Sequence, residues 1–272
     1  MWVKPRHDGR EQSILPVGFA PVSRVVGRGG GAPAPIVPGV IDVGASGARL
    51  EPVVAVSEAA VWEMPDADLE AGARRLSGAP LKRALDFIGA LVGIVLLSPF
   101  LLLVALVIVI ESRGNPLFKQ RRSGYRGAPF VIYKFRSMTV REDGAKIVQA
   151  VRDDVRITRF GRLMRRTSID ELPQLLNVLS GEMSLVGPRP HALAHDEYYG
   201  ALVPGYAARF HAKPGITGLA QVSGLRGQTE TVGDMAKRVE KDLDYIRKYS
   251  IWLDIQILFR TVLTFLFQPT AY

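Results

Sequence analysis

The sequence predicts an α+β fold, that of a monotopic membrane protein with a kinked, re-entrant membrane helix, a small cytosolic domain with a short β-hairpin, and interfacial amphipathic helices. Three observations predict it: a run of 24 residues without a formal charge from Phe87 to Ile110, two extended segments around a glycine-containing turn, and an apolar C-terminal helix pattern with one polar stripe. The predicted segments are a disordered tail over 1–79, the membrane helix over 80–112 and the cytosolic domain over 113–272.

The N-terminal segment 1–79 contains 11 Gly and 8 Pro. A segment of this composition cannot bury enough apolar surface to offset the entropy lost on ordering. We therefore expect it to be disordered.

The apolar run would form a helix roughly 36 Å long, enough to cross a hydrocarbon core of about 30 Å. Ser98-Pro99 lies near its middle, where proline removes a backbone hydrogen bond and predicts a kink. Cations flank the run on both sides, at Arg74, Arg75, Lys82, Arg83, Arg113, Lys119, Arg121 and Arg122. Since such cations mark the cytoplasmic side, the pattern favours a helix that enters the membrane and returns. An ordinary single span is the alternative, because proline does not forbid one.

The net charge of +9 lies in one part of the chain. Residues 113–189 carry 16 Lys/Arg against 7 Asp/Glu, so they hold all of the excess. This charge predicts an anionic partner. Because it follows the apolar run and surrounds a carboxylate pair, it favours a phosphate site or a membrane surface over nucleic acid. The sequence has no cysteine, which excludes disulfides and thiolate metal sites.

Two extended segments, Pro116 to Tyr125 and Pro129 to Met138, predict a hairpin. In the second segment, Ile132, Lys134 and Arg136 share one face. Two cations on an otherwise apolar strand need an anion opposite them, so Lys134 and Arg136 are candidate phosphate or substrate contacts. A solvated strand face is the alternative.

Two adjacent carboxylates, Asp170 and Glu171, stand at the predicted start of a short helix over Leu172 to Leu179. A purely structural interpretation exists, because Ser168 and Glu171 have the spacing of a capping box. Alternatively Asp170 is the cap, and Pro173 then stands where no intrahelical donor is needed. In both registers the carboxylates lie at the positive helix end, where phosphate also binds.

Arginines surround this pair in the sequence. Arg165 and Arg166 precede it within one turn, and Arg189 is fixed between Pro188 and Pro190. A carboxylate can attack phosphorus when nearby cations neutralise the phosphate, and arginine binds phosphate in a bidentate manner. Simple surface ion pairing is the alternative for Arg166.

The remaining motifs are weaker indications of function. His191 and His195 are spaced for one helical face and a metal, but the pattern lacks the glutamate of a zinc hydrolase. The chain has no P-loop, no dinucleotide-binding glycine motif and no serine elbow. Helices are predicted over Val232 to Tyr249 and Ile251 to Phe267, the second capped by Ser250 and lying either in the membrane plane or on the core.

An ordered series of motifs resembles a known family over residues 81 to about 267. The motifs are Ser98-Pro99, Pro116-x-Phe118-x-Gln120-x-Arg122-x-Gly124, Lys134-Phe135-Arg136-Ser137-Met138, Arg165-x-x-Ser168-Ile169-Asp170-Glu171-Leu172-Pro173-Gln174, Ser184-Leu185-Val186-Gly187-Pro188-Arg189-Pro190 and Pro214-Gly215-Ile216-Thr217-Gly218. The chain resembles the bacterial sugar transferases, the monotopic polyprenyl-phosphate hexose-1-phosphate transferases.

The resemblance implies a UDP-sugar donor, undecaprenyl phosphate as acceptor, surrounding membrane lipids and Mg²⁺. It implies a ping-pong mechanism in which Asp170 attacks the sugar-bearing phosphate, UMP leaves, and the phosphosugar passes to the lipid phosphate. Glu171 assists beside the metal, so both carboxylates are expected metal ligands. Lys134, Arg165 and Arg189 match phosphate-contacting positions. The break at Ser98-Pro99 matches the re-entrant helix.

Within the family, the segments after Arg189 look closest to glucose-1-phosphate transferases, with galactose as the alternative sugar. Leu219 stands where the family often has tryptophan, and a polar tail replaces the N-terminal membrane helices of larger members. We expect an enzyme at the cytoplasmic face of the bacterial inner membrane that starts an exopolysaccharide or capsule-type glycan, without nucleic acid as partner. A non-enzymatic polybasic membrane scaffold is the competing class. The sequence does not decide the oligomeric state, and a homo-oligomer is compatible with it.

Overall fold

The computed structural model describes residues 66–139, 154–227, 229 and 231–267. Its α-helices are α1 (Ala67–Ser77), α2 (Pro80–Glu111), α3 (Arg159–Thr167), α4 (Leu175–Ser180), α5 (Leu193–Leu202), α6 (Leu219–Val222), α7 (Val232–Arg247) and α8 (Ile251–Phe267). Its strands are β1 (Leu117–Ser123), β2 (Pro129–Phe135), β3 (Ser184–Val186) and β4 (Gly215–Thr217), and 3₁₀ helices cover Tyr125–Gly127, Ile169–Gln174 and Tyr206–His211. The expected mixture of helices and small sheets with one long apolar helix is confirmed.

Helix α1 lies inside the segment expected to be disordered, so that prediction is wrong for residues 67–77. The Asp66 side chain accepts the backbone N–H of Leu69 at 2.6 Å and begins the helix. Leu69 and Leu76 are buried in a core cluster shared with α7. The average composition hid this helix, because nine of the 11 Gly and all eight Pro of that segment precede residue 66. The rest of the predicted tail, 1–65, lies outside the described residues.

Helix α2 contains the apolar run and is long and apolar enough to cross a membrane. It continues through Pro99 as one element, and the Ser98 hydroxyl donates to the carbonyl of Val95 at 2.9 Å. Most of its large apolar side chains are exposed. Among the described helices it alone meets the length and hydropathy of a membrane span, which supports membrane association.

The first turns of α2 carry polar side chains that dock onto the rest of the protein. Lys82 forms a buried ion pair with Asp254 of α8 at 2.7 Å. The carboxylate of Asp86 accepts the backbone N–H of Leu185 in β3 at 2.9 Å. Arg83 donates to two carbonyls near the end of α4. These contacts fix the start of the apolar helix against the rest of the described protein.

The predicted hairpin is confirmed, with β1 and β2 antiparallel. Phe118 pairs with Lys134 and Gln120 with Ile132, so one face of the hairpin carries Lys134 and the buried Gln120. Phe130 and Ile132 are buried in a cluster with Ala90 of α2. The hairpin therefore holds Lys134 at a fixed place beside α2.

Arg136 does not join Lys134 at the carboxylates. Its guanidinium donates to the backbone carbonyls of Arg113, at 3.1 Å, and of Ser112 and Gly114, where α2 ends. Strand β2 ends at Phe135, so the alternation of faces no longer sets the direction of the next side chain. These carbonyls lie just past the end of α2 and not at the carboxylate pair, and a phosphate contact of Arg136 stays a prediction.

A two-stranded parallel pair, β3 and β4, aligns two glycine-rich loops. The backbone of Gly187, after β3, donates to the carbonyl of Thr217 at 2.9 Å, and that of Gly215 donates to the carbonyl of Pro188 at 2.9 Å. A Cβ on Gly215 would lie 2.1 Å from the backbone nitrogen of Gly187, so this approach requires glycine. The pairing sets where the chain leaves β3 and therefore where Arg189 stands.

The last two helices follow the predicted boundaries within two residues, and Ser250 caps α8 by accepting the backbone N–H of Leu253 at 3.1 Å. One side of α8 is apolar and exposed, at Trp252, Ile255, Leu258, Phe259, Val262 and Leu263. Its opposite side turns Asp254 and Thr261 toward the protein. This two-sided character agrees with the expected interfacial helix. Leu219 is partly buried against the core cluster.

Candidate active site

The two carboxylates lie in the first turn of the 3₁₀ helix Ile169–Gln174. Helix α3 ends at Thr167, and Ser168 turns the chain in the left-handed region with φ 51°. The Ser168 side chain makes no capping hydrogen bond, and Asp170 lies inside the 3₁₀ helix, so neither predicted cap forms. The backbone N–H of Glu171 donates to the Ser168 carbonyl at 3.1 Å. The expected helix over 172–179 is divided into this 3₁₀ turn and α4, because Pro173 fits the shorter turn.

Glu171 is held by two cations. The Lys134 ammonium lies 2.8 Å from its Oε1, and Arg189 binds both of its oxygens, at 2.5 and 3.0 Å. Burial alone would raise the pKa of Glu171, but Arg189 and Lys134 outweigh it and hold the pKa well below its usual range. Glu171 is therefore an ionised carboxylate whose oxygens are both engaged.

Asp170 differs from its neighbour although it is equally buried, at 8% exposure. Burial and the adjacent charge of Glu171 raise its pKa to about 6, against the attraction of Lys134, Arg165 and Arg189. Within the described part of the chain no group donates a hydrogen bond to the Asp170 carboxylate. Its lone pairs are thus available to a bound molecule, which is the state that a nucleophile requires.

Arg165 and Arg166 lie on α3, whose last turn precedes the carboxylates. Arg165 is half-buried, and its charge reaches Asp170, whose pKa it lowers. Arg166 is exposed to solvent. The structure thus brings Lys134, Arg165 and Arg189 to the carboxylates, as the sequence predicts, while Arg166 faces away from the interior.

A buried hydrogen-bond network supports Arg189 from behind. Arg209, 2% exposed, donates to the Arg189 carbonyl at 2.6 Å and to the carboxylate of Asp242 at 2.7 Å. It also contacts the Tyr206 hydroxyl at 3.1 Å and Nδ1 of His191 at 2.6 Å. Because a guanidinium only donates, Nδ1 of His191 accepts. The network fixes the backbone of the loop that carries Arg189.

The histidine pair does not form a metal site. His191 lies inside this network, and burial together with nearby arginines lowers its pKa well below the usual range. His195 stands on α5. In residues 66–139, 154–227 and 231–267, no group of three or more His, Cys, Asp or Glu side chains converges. The alternative of a histidine-bound metal therefore finds no support in the geometry.

One cation near the site is missing from the sequence-based candidates. Arg122 donates to the side chain of Gln120 at 2.5 Å, and burial together with the charge of Arg189 lowers its pKa to about 10. The charge of Glu171 acts on Arg122 in the opposite direction and raises its pKa. The hairpin register contains the signal, because Arg122 stands four residues from Phe118, the partner of Lys134, and so on the same face.

The donor set fits Mg²⁺ in part. Two adjacent carboxylates are the ligands that Mg²⁺ takes when substrate phosphates and water complete its shell. Both oxygens of Glu171 already accept from cations, whereas those of Asp170 do not. A bound ion would therefore share Glu171 with Lys134 and Arg189.

A buried carboxylate to which no described group donates a hydrogen bond, surrounded by lysine and arginine side chains, is the kind of site that acts on a phosphate group. Residues 77–268 match the model of the bacterial sugar transferase family, and the chain belongs to that family.

Several curated proteins are similar to this chain. A UDP-glucose:undecaprenyl-phosphate glucose-1-phosphate transferase of Caulobacter vibrioides is 58% identical over 191 residues, which are 70% of this chain and 72% of the relative. A protein of the same description from Escherichia coli is 45% identical over 87% of this chain, a match that spans 49% of the relative. The exopolysaccharide production protein PSS of Rhizobium leguminosarum is 48% identical over 68% of this chain and 94% of its own length. The chain thus spans about half of the Escherichia coli relative and most of the other two.

Proposed function

We propose that this protein transfers glucose-1-phosphate from UDP-glucose to undecaprenyl phosphate, giving undecaprenyl-diphosphate-glucose and UMP. Family membership and the names of the relatives support the reaction class and the sugar. Galactose-1-phosphate transfer is the alternative within the same chemistry. The relative named for exopolysaccharide production supports a role in starting such a glycan.

The difference between the two carboxylates supports a covalent mechanism. In the first step an Asp170 oxygen attacks the phosphorus that bears the sugar, and the phosphorus–oxygen bond to UMP breaks. In the second step an oxygen of the lipid phosphate attacks the same phosphorus, and the bond to Asp170 breaks. Lys134, Arg165 and Arg189 neutralise the phosphate charge that would otherwise repel the carboxylate. Glu171, held by cations, keeps these side chains in place.

Asp170 and Glu171 would hold Mg²⁺ together with the diphosphate, and the ion would supply positive charge beside it. The cations of the chain would act on the same phosphates. We expect chelation of Mg²⁺ to lower the rate of UMP release while the melting temperature of the protein changes little.

The test is UMP release by the purified full-length protein with Mg²⁺ across a panel of UDP-sugars, with and without undecaprenyl phosphate. We expect a burst of up to one UMP per active site without acceptor, and continuous release with it. Release that requires both substrates and shows no burst would contradict the covalent mechanism. No release with any UDP-sugar would favour a polybasic membrane scaffold.

We further propose that α2 enters the inner membrane from the cytoplasmic face and returns to it. Both ends of the helix contact the same domain: Lys82 pairs with Asp254 near its start, and Arg136 satisfies carbonyls at its end. Ala90 in the first half and Ile108 in the second are also buried against that domain. A helix with both ends on one domain cannot deliver them to opposite sides of a bilayer.

This topology has a direct test because the chain lacks cysteine. Ser77→Cys and Lys119→Cys each place a thiol at an exposed position on one side of α2. We expect an impermeant thiol reagent to label neither variant in intact cells, and both in inside-out membrane vesicles. Labelling of only one of the two in intact cells would show a single span instead.

The raised pKa of Asp170 predicts the pH dependence of the first step. The carboxylate is ionised above its pKa of about 6, so the burst rate should fall as the pH drops through 6 and level off above 7. Arg165→Gln should move this limb to higher pH, because Arg165 lowers the pKa of Asp170. Measuring the burst without acceptor avoids the lipid phosphate, a monoester that titrates near pH 6 itself. A burst rate unchanged down to pH 5 would rule out this pKa.

A further inference from the structure

A small cavity opens beside Glu171 and has a volume of about 110 Å³. Its walls come from the 3₁₀ turn that carries Asp170 and Glu171 (called the carboxylate turn), from β4 and α6, and from the inner side of α8. The lining residues are Ser168, Glu171, Leu172, Ile216, Thr217, Gln221, Val222, Arg226, Thr261 and Thr264. A single water needs roughly 10–15 Å³ of such space. The cavity therefore has room for several water-sized polar groups, as in one sugar ring.

The threonine hydroxyls of this cavity offer only acceptors. Thr261 lies 2.7 Å from the carbonyl of Ile257, which cannot donate, so Thr261 is the donor there. In its 2.7 Å contact with Thr217, the hydrogen must then come from Thr217. Thr264 donates to the carbonyl of Arg260 at 2.9 Å. All three hydrogens are used within the protein, and lone pairs remain.

Gln221 adds another acceptor. Its amide nitrogen donates to the carbonyl of Ile216 at 3.1 Å, which fixes the orientation of the amide. The amide oxygen is buried and has no hydrogen-bond partner among the described residues. A buried acceptor without a partner costs stability unless a bound molecule satisfies it. Glu171 also lines the cavity, and both of its oxygens already accept from Lys134 and Arg189.

The polar groups that line the cavity indicate which kind of ligand it binds. The threonine and glutamine oxygens need hydrogen-bond donors, and the cationic donor among the described lining residues, Arg226, contacts the Ser168 hydroxyl. A phosphate dianion would leave the threonine and glutamine acceptors without donors, and a hydrocarbon chain would satisfy none of these groups. A uracil ring has one hydrogen-bond donor beside two carbonyl acceptors, so most of its polar atoms would face other acceptors in this cavity. A sugar has a donor on each hydroxyl, and its C–H faces suit the apolar side chains of Leu172, Ile216 and Val222.

We propose that this cavity binds the hexose of the donor and that Thr261 and Gln221 are specificity-determining residues. The proposal rests on the proposed function, in which the hexose is bound to the phosphorus that Asp170 attacks. The cavity begins at the residue next to Asp170, so a sugar there lies beside the reacting group. The ribose of the donor is the other source of hydroxyls, and the experiment separates the two.

The test compares wild type, Thr261→Val and Thr261→Ser by kcat/KM for UMP release. The substrates are UDP-glucose, its 2-, 3-, 4- and 6-deoxyglucose analogues, and an analogue with 2′-deoxyribose. Valine keeps the shape of threonine but removes the hydroxyl, and serine keeps the hydroxyl. We expect wild type and Thr261→Ser to lose about tenfold or more with one deoxyglucose analogue. Thr261→Val should lose a similar factor with UDP-glucose and nothing further with that analogue.

Other outcomes overturn the proposal. An equal loss in Thr261→Val with every deoxyglucose analogue would show that the hydroxyl does not contact the hexose. Coupling only to the 2′-deoxyribose analogue would assign the cavity to the ribose. In both cases UMP release by wild type leaves the proposed function intact, whereas no release from any UDP-sugar removes both. If Thr261→Val does not fold, Thr264→Val and Gln221→Met give the same comparison.

Discussion

Asp170→Asn is expected to abolish UMP release, with a loss of at least about 10⁴-fold, the scale seen when a covalent nucleophile is removed. Asparagine keeps the shape of the side chain but cannot form the bond to phosphorus. The burst and the covalent phosphosugar, detected by mass spectrometry of the intact protein, should both disappear. Asp68→Asn, an exposed aspartate on α1, is the matched control and should keep normal activity.

The same substitution should make the protein more stable at neutral pH. The pKa of Asp170 is about 6 in the folded protein, above the ordinary aspartate value of 3.8. A carboxyl with a raised pKa favours folding below its unfolded pKa and loses this contribution as the pH rises through its folded pKa. Asp170→Asn should therefore melt above wild type at pH 7.5, with a smaller difference at pH 5. Activity near wild type, or a lower melting temperature at pH 7.5, would contradict the assigned role.

Arg209→Met is expected to be the most destabilising substitution outside the reacting groups. Arg209 and Asp242 are both buried, their contact is 2.7 Å, and burial by itself raises the pKa of Asp242. Removing one partner of a buried ion pair typically costs about 3–5 kcal/mol, because the other charge remains without compensation. We expect a clear fall in melting temperature of the purified protein in detergent. UMP release by the folded fraction should also drop by roughly tenfold to a hundredfold, since a displaced group near the reaction centre has such effects.

Two further variants serve as controls for this experiment. Arg209→Met combined with Asp242→Leu removes both charges, and it should recover much of the stability but not the activity, because the Arg189 carbonyl still lacks its donor. Arg162→Met changes an exposed arginine and should alter stability by no more than about 0.5 kcal/mol. A single Arg209 variant that melts like wild type would show that the pair does not stabilise the fold.

The elements that the sequence predicts well are those set by local patterns. A long run without formal charge located α2, the pattern of apolar and polar residues located α7 and α8, and the turn residues located the hairpin. The cluster around Glu171 was predictable because Lys134 and Arg189 each stand in a rigid local context, a strand and a proline-flanked loop. Such contexts fix a side-chain direction before any tertiary contact forms.

The departures from the sequence patterns have tertiary causes. Arg136 lies just past the end of its strand, so the nearest unsatisfied carbonyls decided its direction. The carboxylate turn has backbone hydrogen bonds in place of a side-chain cap, because Ser168 adopts a left-handed conformation. Asp242 stands 33 residues from Arg209, and no spacing rule connects them. Helix α1 depends on α7, far away in sequence.

The buried pair between Lys82 and Asp254 has a consequence for how the protein meets its lipid. It joins the start of the apolar helix to α8, the helix whose apolar side is exposed. In the proposed membrane orientation, these two apolar surfaces face the lipid and are locked at one angle to each other. The height of Asp170 above the bilayer is then a property of the fold. A lipid phosphate group would have to be presented at that level, so bilayer thickness and headgroup packing should influence the second step more than the first.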